Sequence, residues 1–192
     1  MLNLIRAEFI KYKRSFVPYI HIFLPIAYAI LIASYGNYTS YKEEDIVSAY
    51  LESIGLGLPV IISLICAKVA DSELQAGNFL LILSNVNRKK LIVSKAVALL
   101  SINFLAILTA VTAFACLYNK SNMDISIKLI FYTFAVLLLF ASNVFLYILL
   151  LFVGLRYGRG IAIGLGIAQA LTSALFLTGL GDRLWYFTPW TW

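Results

Sequence analysis

Residues 129–155 read LIFYTFAVLLLFASNVFLYILLLFVGL, 27 residues without a charge. About 20 mostly apolar residues suffice to cross a bilayer as a helix. Three more uncharged stretches meet that length: 15–41 with 27 residues, 96–119 with 24 and 160–181 with 22. A fifth, 53–67, offers 15 residues between Glu52 and Lys68. It spans if those charges sit at the interfaces, with Lys68 snorkelling along its aliphatic stem. Composition agrees. Hydrophobic residues make up 62% and charged residues 12% of the 192, against about 45–50% and 25% in soluble domains. Too few polar groups remain to cover a soluble surface, so secreted, disordered and nucleic-acid-binding domains are excluded.

The expected fold is an all-α polytopic membrane protein, a single domain over 1–192. Residues 1–15 form an interfacial helix, 16–180 hold spans 1–5, and 181–192 form an external aromatic tail. The spans run near Phe16–Tyr35, 53–67, Ala96–Tyr118, Leu129–Val153 and Gly160–Leu180. Pro18 and Pro25 predict a kink in the first. Gly55, Gly57 and Pro59 predict an irregular outer half for the second. In the fifth, Gly158, Ala162, Gly166, Ala170 and Ala174 recur every fourth residue, a stripe on which another helix can pack closely. Before the first span, Leu2, Ile5, Phe9, Tyr12 and Phe16 form one apolar stripe, with Arg6, Lys11, Lys13 and Arg14 off it. That pattern predicts an amphipathic helix lying on the inner leaflet. Its charged lead is too long for a cleavable signal.

The formal net charge is +6, and its distribution reports topology. With the N-terminus in the cytoplasm, the inside segments hold 11 of the Lys and Arg residues and the outside segments 4, as the positive-inside rule requires. Glu43, Glu44 and Asp45 then lie outside, a solvated patch that a cationic ligand can also meet. No nucleic-acid partner is implied.

Chemistry-bearing motifs are few. There is no G-x-x-x-x-G-K-[ST], H-E-x-x-H or G-x-S-x-G, so no ATP site, catalytic residue, metal or cofactor is expected in this chain. Cys66 and Cys116 fall inside spans and read as packing residues; His21, the single histidine, reads as a hydrogen-bonded one. The polar residues inside spans are Asn103, Thr109, Asn143, Gln169 and Thr172. They are candidates for a substrate path, with interhelical hydrogen bonding as the plainer reading.

The segment 71–95 reads DSELQAGNFLLILSNVNRKKLIVSK. Ser72 followed by Gln75 has the form of a capping box opening a helix. Leu74, Phe79, Leu80 and Leu83 give that helix an apolar surface, too short to span. It either rests on lipid headgroups or docks a cytoplasmic partner.

This order of elements carries a resemblance. An acidic residue, then Ala76-Gly77-Asn78-Phe79, an apolar run, and a basic stretch ending in Ser94-Lys95 at a span resembles the loop between spans 2 and 3 of ABC-2-type permeases. More narrowly, the chain resembles the lantibiotic (bacteriocin) immunity permeases, whose amphipathic N-terminal helix is similar to AEFIKYKRS at 7–15. Six spans are expected of that family and five are read here. The resemblance implies a permease subunit in the cell membrane of a Gram-positive bacterium, with a coupling helix at Asp71–Leu83. Asp71, Glu73, Leu74, Gly77, Phe79, Leu80 and Leu83 would contact a separate ABC ATPase subunit, which carries the ATP and Mg. A second permease subunit, identical or related, membrane lipid and a cationic peptide substrate complete the implied partners. A permease for a lipid or drug, and a non-transport membrane scaffold, are the other function classes.

Overall fold

The computed structural model describes residues 1–13, 15, 17–77, 87–118, 125–180 and 188. Among them all regular structure is helical: α1 (Leu2–Lys13), α2 (Val17–Tyr38), α3 (Glu43–Gln75), α4 (Arg88–Leu117), α5 (Ile125–Tyr157), α6 (Arg159–Leu175) and a π-helical turn, Phe176–Leu180. Helices α2 to α5, and α6 together with the π-helical turn as far as Thr178, are each long and apolar enough to cross a membrane, in accord with the five expected spans. Large side chains on the outside of the bundle, such as Phe134, Phe152 and Leu171, remain more than half exposed. In water such a surface would aggregate; against lipid it is the ordinary outer face of a span.

The second span departs from expectation. Helix α3 continues without a break past Gly55, Gly57 and Pro59 for 33 residues, about 50 Å at 1.5 Å per residue. A proline inside a helix loses one backbone bond and crowds the carbonyl four residues earlier, which here belongs to Gly55. Packing against α5 and α6 holds the helix on course. At about 20 Å more than a bilayer core of about 30 Å, α3 must project beyond it. The Glu52–Lys68 spacing understated this helix because it counted charges as ends, whereas Glu52 and Lys68 are positions on a continuous helix. Glu43, Glu44 and Asp45 occupy its first turn, where the helix dipole favours acidic side chains.

The core sits where α1, α3, α4 and α5 meet. Tyr12, Ile62, Ile65, Leu99, Leu146, Tyr147 and Leu150 are buried there together. A second cluster at the opposite end stacks Tyr50 on Phe114, with ring centroids 3.9 Å apart. The Tyr50 hydroxyl donates to the Ala110 carbonyl at 2.8 Å, tying α3 to α4. His21 is the hydrogen-bonded packing residue expected of it. Its Nδ1 lies 2.8 Å from the Val17 carbonyl, which can only accept, and Nε2 lies 3.1 Å from the Tyr147 hydroxyl. Neutral imidazole therefore carries its proton on Nδ1.

The small-residue stripe of α6 is a packing face over half its length. Ala162, Gly166, Gln169 and Ser173 are buried, whereas Ala174 is exposed. Four-residue steps advance about 40° past a full turn of a 3.6-residue helix, so the stripe drifts off the contact and the 3–4 alternation takes over. Gly158, at φ +91°, is the joint between α5 and α6, a conformation that costs other residues a Cβ clash.

Candidate functional site

The end of the bundle that carries α1 also collects the end of α3, the start of α4 and the α5–α6 joint. Four charged side chains meet there. Lys95 of α4 donates to Glu8 of α1 at 2.6 Å and to Glu73 of α3 at 2.8 Å. Lys11 of α1 also pairs with Glu73 Oε1. The Lys95 and Glu73 side chains are each 2% exposed, and Lys11 is 37% exposed. Two cations and two anions sum to zero, which is the condition under which buried charge is tolerated. Close by, Arg159 at the start of α6 donates to Asp71 at 3.1 Å on the surface. Three helices are thus fastened to α3 by its own acidic residues.

This geometry revises the reading of α1. Its helix is as expected, but the inward face is Ile5, Glu8 and Tyr12, while Leu2 is 82% and Phe9 37% exposed. The apolar stripe is divided between protein and membrane; Phe16 lies outside the described residues. A count of apolar positions cannot register that Lys95 draws a glutamate inward. Glu8, Lys11 and Lys95 escaped the sequence reading as a site. Two signals were available: Glu8 is the single acid before Glu43, and Lys95 is a charge set where the third apolar run begins.

The expected capping box is also revised. Ser72 lies in the last turns of α3, and its hydroxyl donates back to the Val69 carbonyl at 2.7 Å. The helix has already run for 29 residues at that point, so Ser72 has no uncapped N–H to accept from. Asp71, Glu73 and Leu74 therefore belong to the C-terminal end of α3, not to the start of a new helix. Their nearest charged partners lie within the chain. Leu74 points outward, 47% exposed. Gly77 ends the segment at φ +125°, with the Ala76 N–H donating to the Ser72 carbonyl at 3.1 Å. Phe79, Leu80 and Leu83 lie outside the described residues.

The five polar residues within spans do not form one site. Thr109 and Thr172 donate to carbonyls of their own helices, Ala106 and Gln169, each at 2.8 Å. Asn103, Asn143 and Gln169 are 2%, 1% and 3% exposed, and among the described residues their amide nitrogens have no partner. Among the described residues no interhelical hydrogen bond reaches these amide nitrogens. A cavity between α2, α3 and α4 is lined by Asn103 and by none of the other four.

The family pattern of the ABC-2 family transporter proteins matches residues 4–174. The chain belongs to that family. It is a permease component, not the ATP-binding one, and an ABC ATPase is its partner. No curated protein and no solved structure matches this ABC-2 permease. The match begins within α1 and ends at the last residues of α6, so it includes every element that builds the charged end.

Proposed function

We propose that this ABC-2 permease expels or extracts a cationic peptide antibiotic, in the manner of lantibiotic self-immunity, across the cell membrane of a Gram-positive bacterium. The observation that carries the reading is the fastening of α1, α3 and α4 through Glu8, Glu73 and Lys95. A push on the projecting end of α3 is shared at once with its neighbours, because buried ion pairs resist separation. The ATPase docks on the connection between α3 and α4, at the cytoplasmic side by the charge rule. Asp71, Glu73, Leu74 and Gly77 supply its described half, and Phe79, Leu80 and Leu83 continue it in sequence. Leu74 presents apolar surface beyond the membrane core; Glu73 transmits rather than touches. A second permease subunit completes the path. Glu43, Glu44 and Asp45 at the other end of α3 attract the cationic peptide, in a field strengthened by proximity but weakened by salt.

The test combines binding and protection. Leu74→Asp, alone and with Phe79→Asp and Leu80→Asp, puts charge where apolar contact is expected. The variants should still insert, since Leu74 stands in the last turn of α3, past its apolar stretch 53–67, and Phe79 and Leu80 follow the helix in sequence. They should lose co-purification with the ATPase and lose protection against one lantibiotic. Retained binding and protection would remove the docking assignment. Protection of wild-type cells against unrelated small drugs and against no peptide would remove the peptide.

A further inference from the structure

The cavity between α2, α3 and α4 has a volume of about 300 Å³, at the small end of the roughly 300–1,000 Å³ typical of ligand sites. It lies within the apolar length of all three helices, and no Asp, Glu, Lys or Arg lines it. Its polar groups are accounted for except one. His21 is held between Val17 and Tyr147. The Tyr28 hydroxyl donates to Ser53 at 2.6 Å, Ser53 to the Tyr50 carbonyl at 2.8 Å, and Tyr50 to Ala110. Asn103 remains. It is 2% exposed, lines the cavity, and its Nδ2 has no partner.

Asn103 stands midway along α4, where a bilayer offers no water to satisfy an amide. Buried polar groups without partners are rare enough to require an explanation. Gly57 also lines the cavity, and a Cβ built on it meets nothing within 4 Å. Leu24, which also lines the cavity, is 47% exposed on the outer side of α2, so the cavity reaches the outside of the bundle.

We propose that this cavity binds a small uncharged lipophilic molecule, a single aliphatic or aromatic segment bearing a carbonyl, ether or hydroxyl oxygen that accepts a hydrogen bond from Asn103. An ionised ligand would meet no counter-charge among the lining residues. A phospholipid's ester carbonyls sit at the interface, well short of a residue midway along the helix. Aliphatic walls take the ligand's body, and the amide chooses an oxygen-bearing molecule over a plain hydrocarbon. The proposal stands apart from the peptide substrate, because it requires neither the ATPase nor the acidic residues of α3.

The experiment uses the full chain in isolated membranes and a diazirine-bearing octanol as probe, with labelled residues mapped by mass spectrometry. Saturable labelling is expected at lining residues such as Tyr28, Ile54 and Ile107. Excess 1-octanol should compete about fivefold better than octane, the contribution of about one hydrogen bond. Asn103→Leu keeps the apolar volume and should erase that preference while leaving hydrocarbon binding intact. Gly57→Phe should fill the space and abolish labelling by the octanol probe and by a diazirine-bearing octane alike. Equal competition by octane and 1-octanol in the wild-type chain would overturn the proposal without recourse to any variant. So would labelling that persists in a folded Gly57→Phe chain, or labelling displaced by a cationic amphipathic peptide and not by 1-octanol.

Discussion

Lys95 faces two carboxylates, Glu8 at 2.6 Å and Glu73 at 2.8 Å, with 2% of its side chain exposed. Removing its charge leaves two carboxylates with Lys11 as the one remaining cation, and Glu8 without its partner. Breaking a buried pair in this way typically costs about 3–5 kcal/mol. Lys95→Met is therefore expected to lower the thermal stability of the purified permease and to release α1, which limited proteolysis near Lys13 would detect. Adding Glu73→Gln restores the charge balance, with Glu8 and Lys11 as the remaining anion and cation, so the double variant should be more stable than Lys95→Met alone. A double variant no better than the single would show that the cluster does not act as one unit. The sequence shows that Lys95 is unusual, since a lysine entering an apolar run is costly in lipid. It does not show the partners, because Glu73 and Glu8 lie 22 and 87 residues away along the chain. Only the antiparallel return of α3 and the crossing of α1 bring them together. The same holds for the span amides: Asn103, Asn143 and Gln169 are plain in the sequence, yet which of them meets a cavity depends on how α2 leans across α3 and α4.

At the scale of elements, the contact between α3 and α6 sets the tightest tolerance. A Cβ built on Gly166 would lie 2.3 Å from the Ser63 Cβ and 2.7 Å from the Pro59 carbonyl oxygen. The second neighbour is backbone and cannot swing aside, so Gly166→Ala must push the helices apart. Overpacking of this kind costs about 1–3 kcal/mol. At Gly164, two residues earlier on the same helix, an added Cβ meets nothing within 4 Å, and alanine there gains helix propensity of about 1 kcal/mol over glycine. Thermal melts in detergent should therefore move in opposite directions for the two alanine variants. A Gly166→Ala chain as stable as wild type would mean that α6 does not seat against Pro59 and Ser63. The small-residue stripe was legible because close helix approach needs small side chains whatever the partner; its drift and its partner were not. The Ser72–Gln75 pattern misled for the converse reason. Capping chemistry needs a helix that is beginning, and a four-residue pattern cannot tell the first turn of a helix from the last. Uncharged run length marked where α2, α4, α5 and α6 cross. It failed at α3, where charges stand on a helix that outruns the membrane.

For the whole molecule, the five long helices pass through the bilayer in alternate directions, so one orientation fixes every loop. The α1 end gathers Lys11, Lys95 and Arg159 in ion pairs, and the sequence places Arg88, Lys89, Lys90 and Arg156 in its segments as well. The opposite end carries the acidic first turn of α3. Membrane insertion retains basic flanks on the cytoplasmic side and is nearly indifferent to acidic ones. The bias of 11 basic residues against 4 therefore predicts that α1 and the end of α3 face the cytoplasm and that the α2–α3 turn faces out. Neutralising pairs do not cancel the effect, since the rule acts on lysine and arginine during insertion, before Glu8 and Glu73 can reach Lys95. Two positions read the orientation directly. Ser40, between α2 and α3, and Gln75, at the end of α3, are both exposed. The native thiols, buried Cys66 and exposed Cys116, would first be replaced by alanine. In intact cells a membrane-impermeant maleimide should then label Ser40→Cys and spare Gln75→Cys until the membrane is permeabilised. The reverse pattern would invert the topology and move the ATPase-facing end to the α2–α3 turn. That turn has only the residues between Tyr38 and Glu43, too few to present a docking helix, so inversion would remove the coupling assignment together with the orientation.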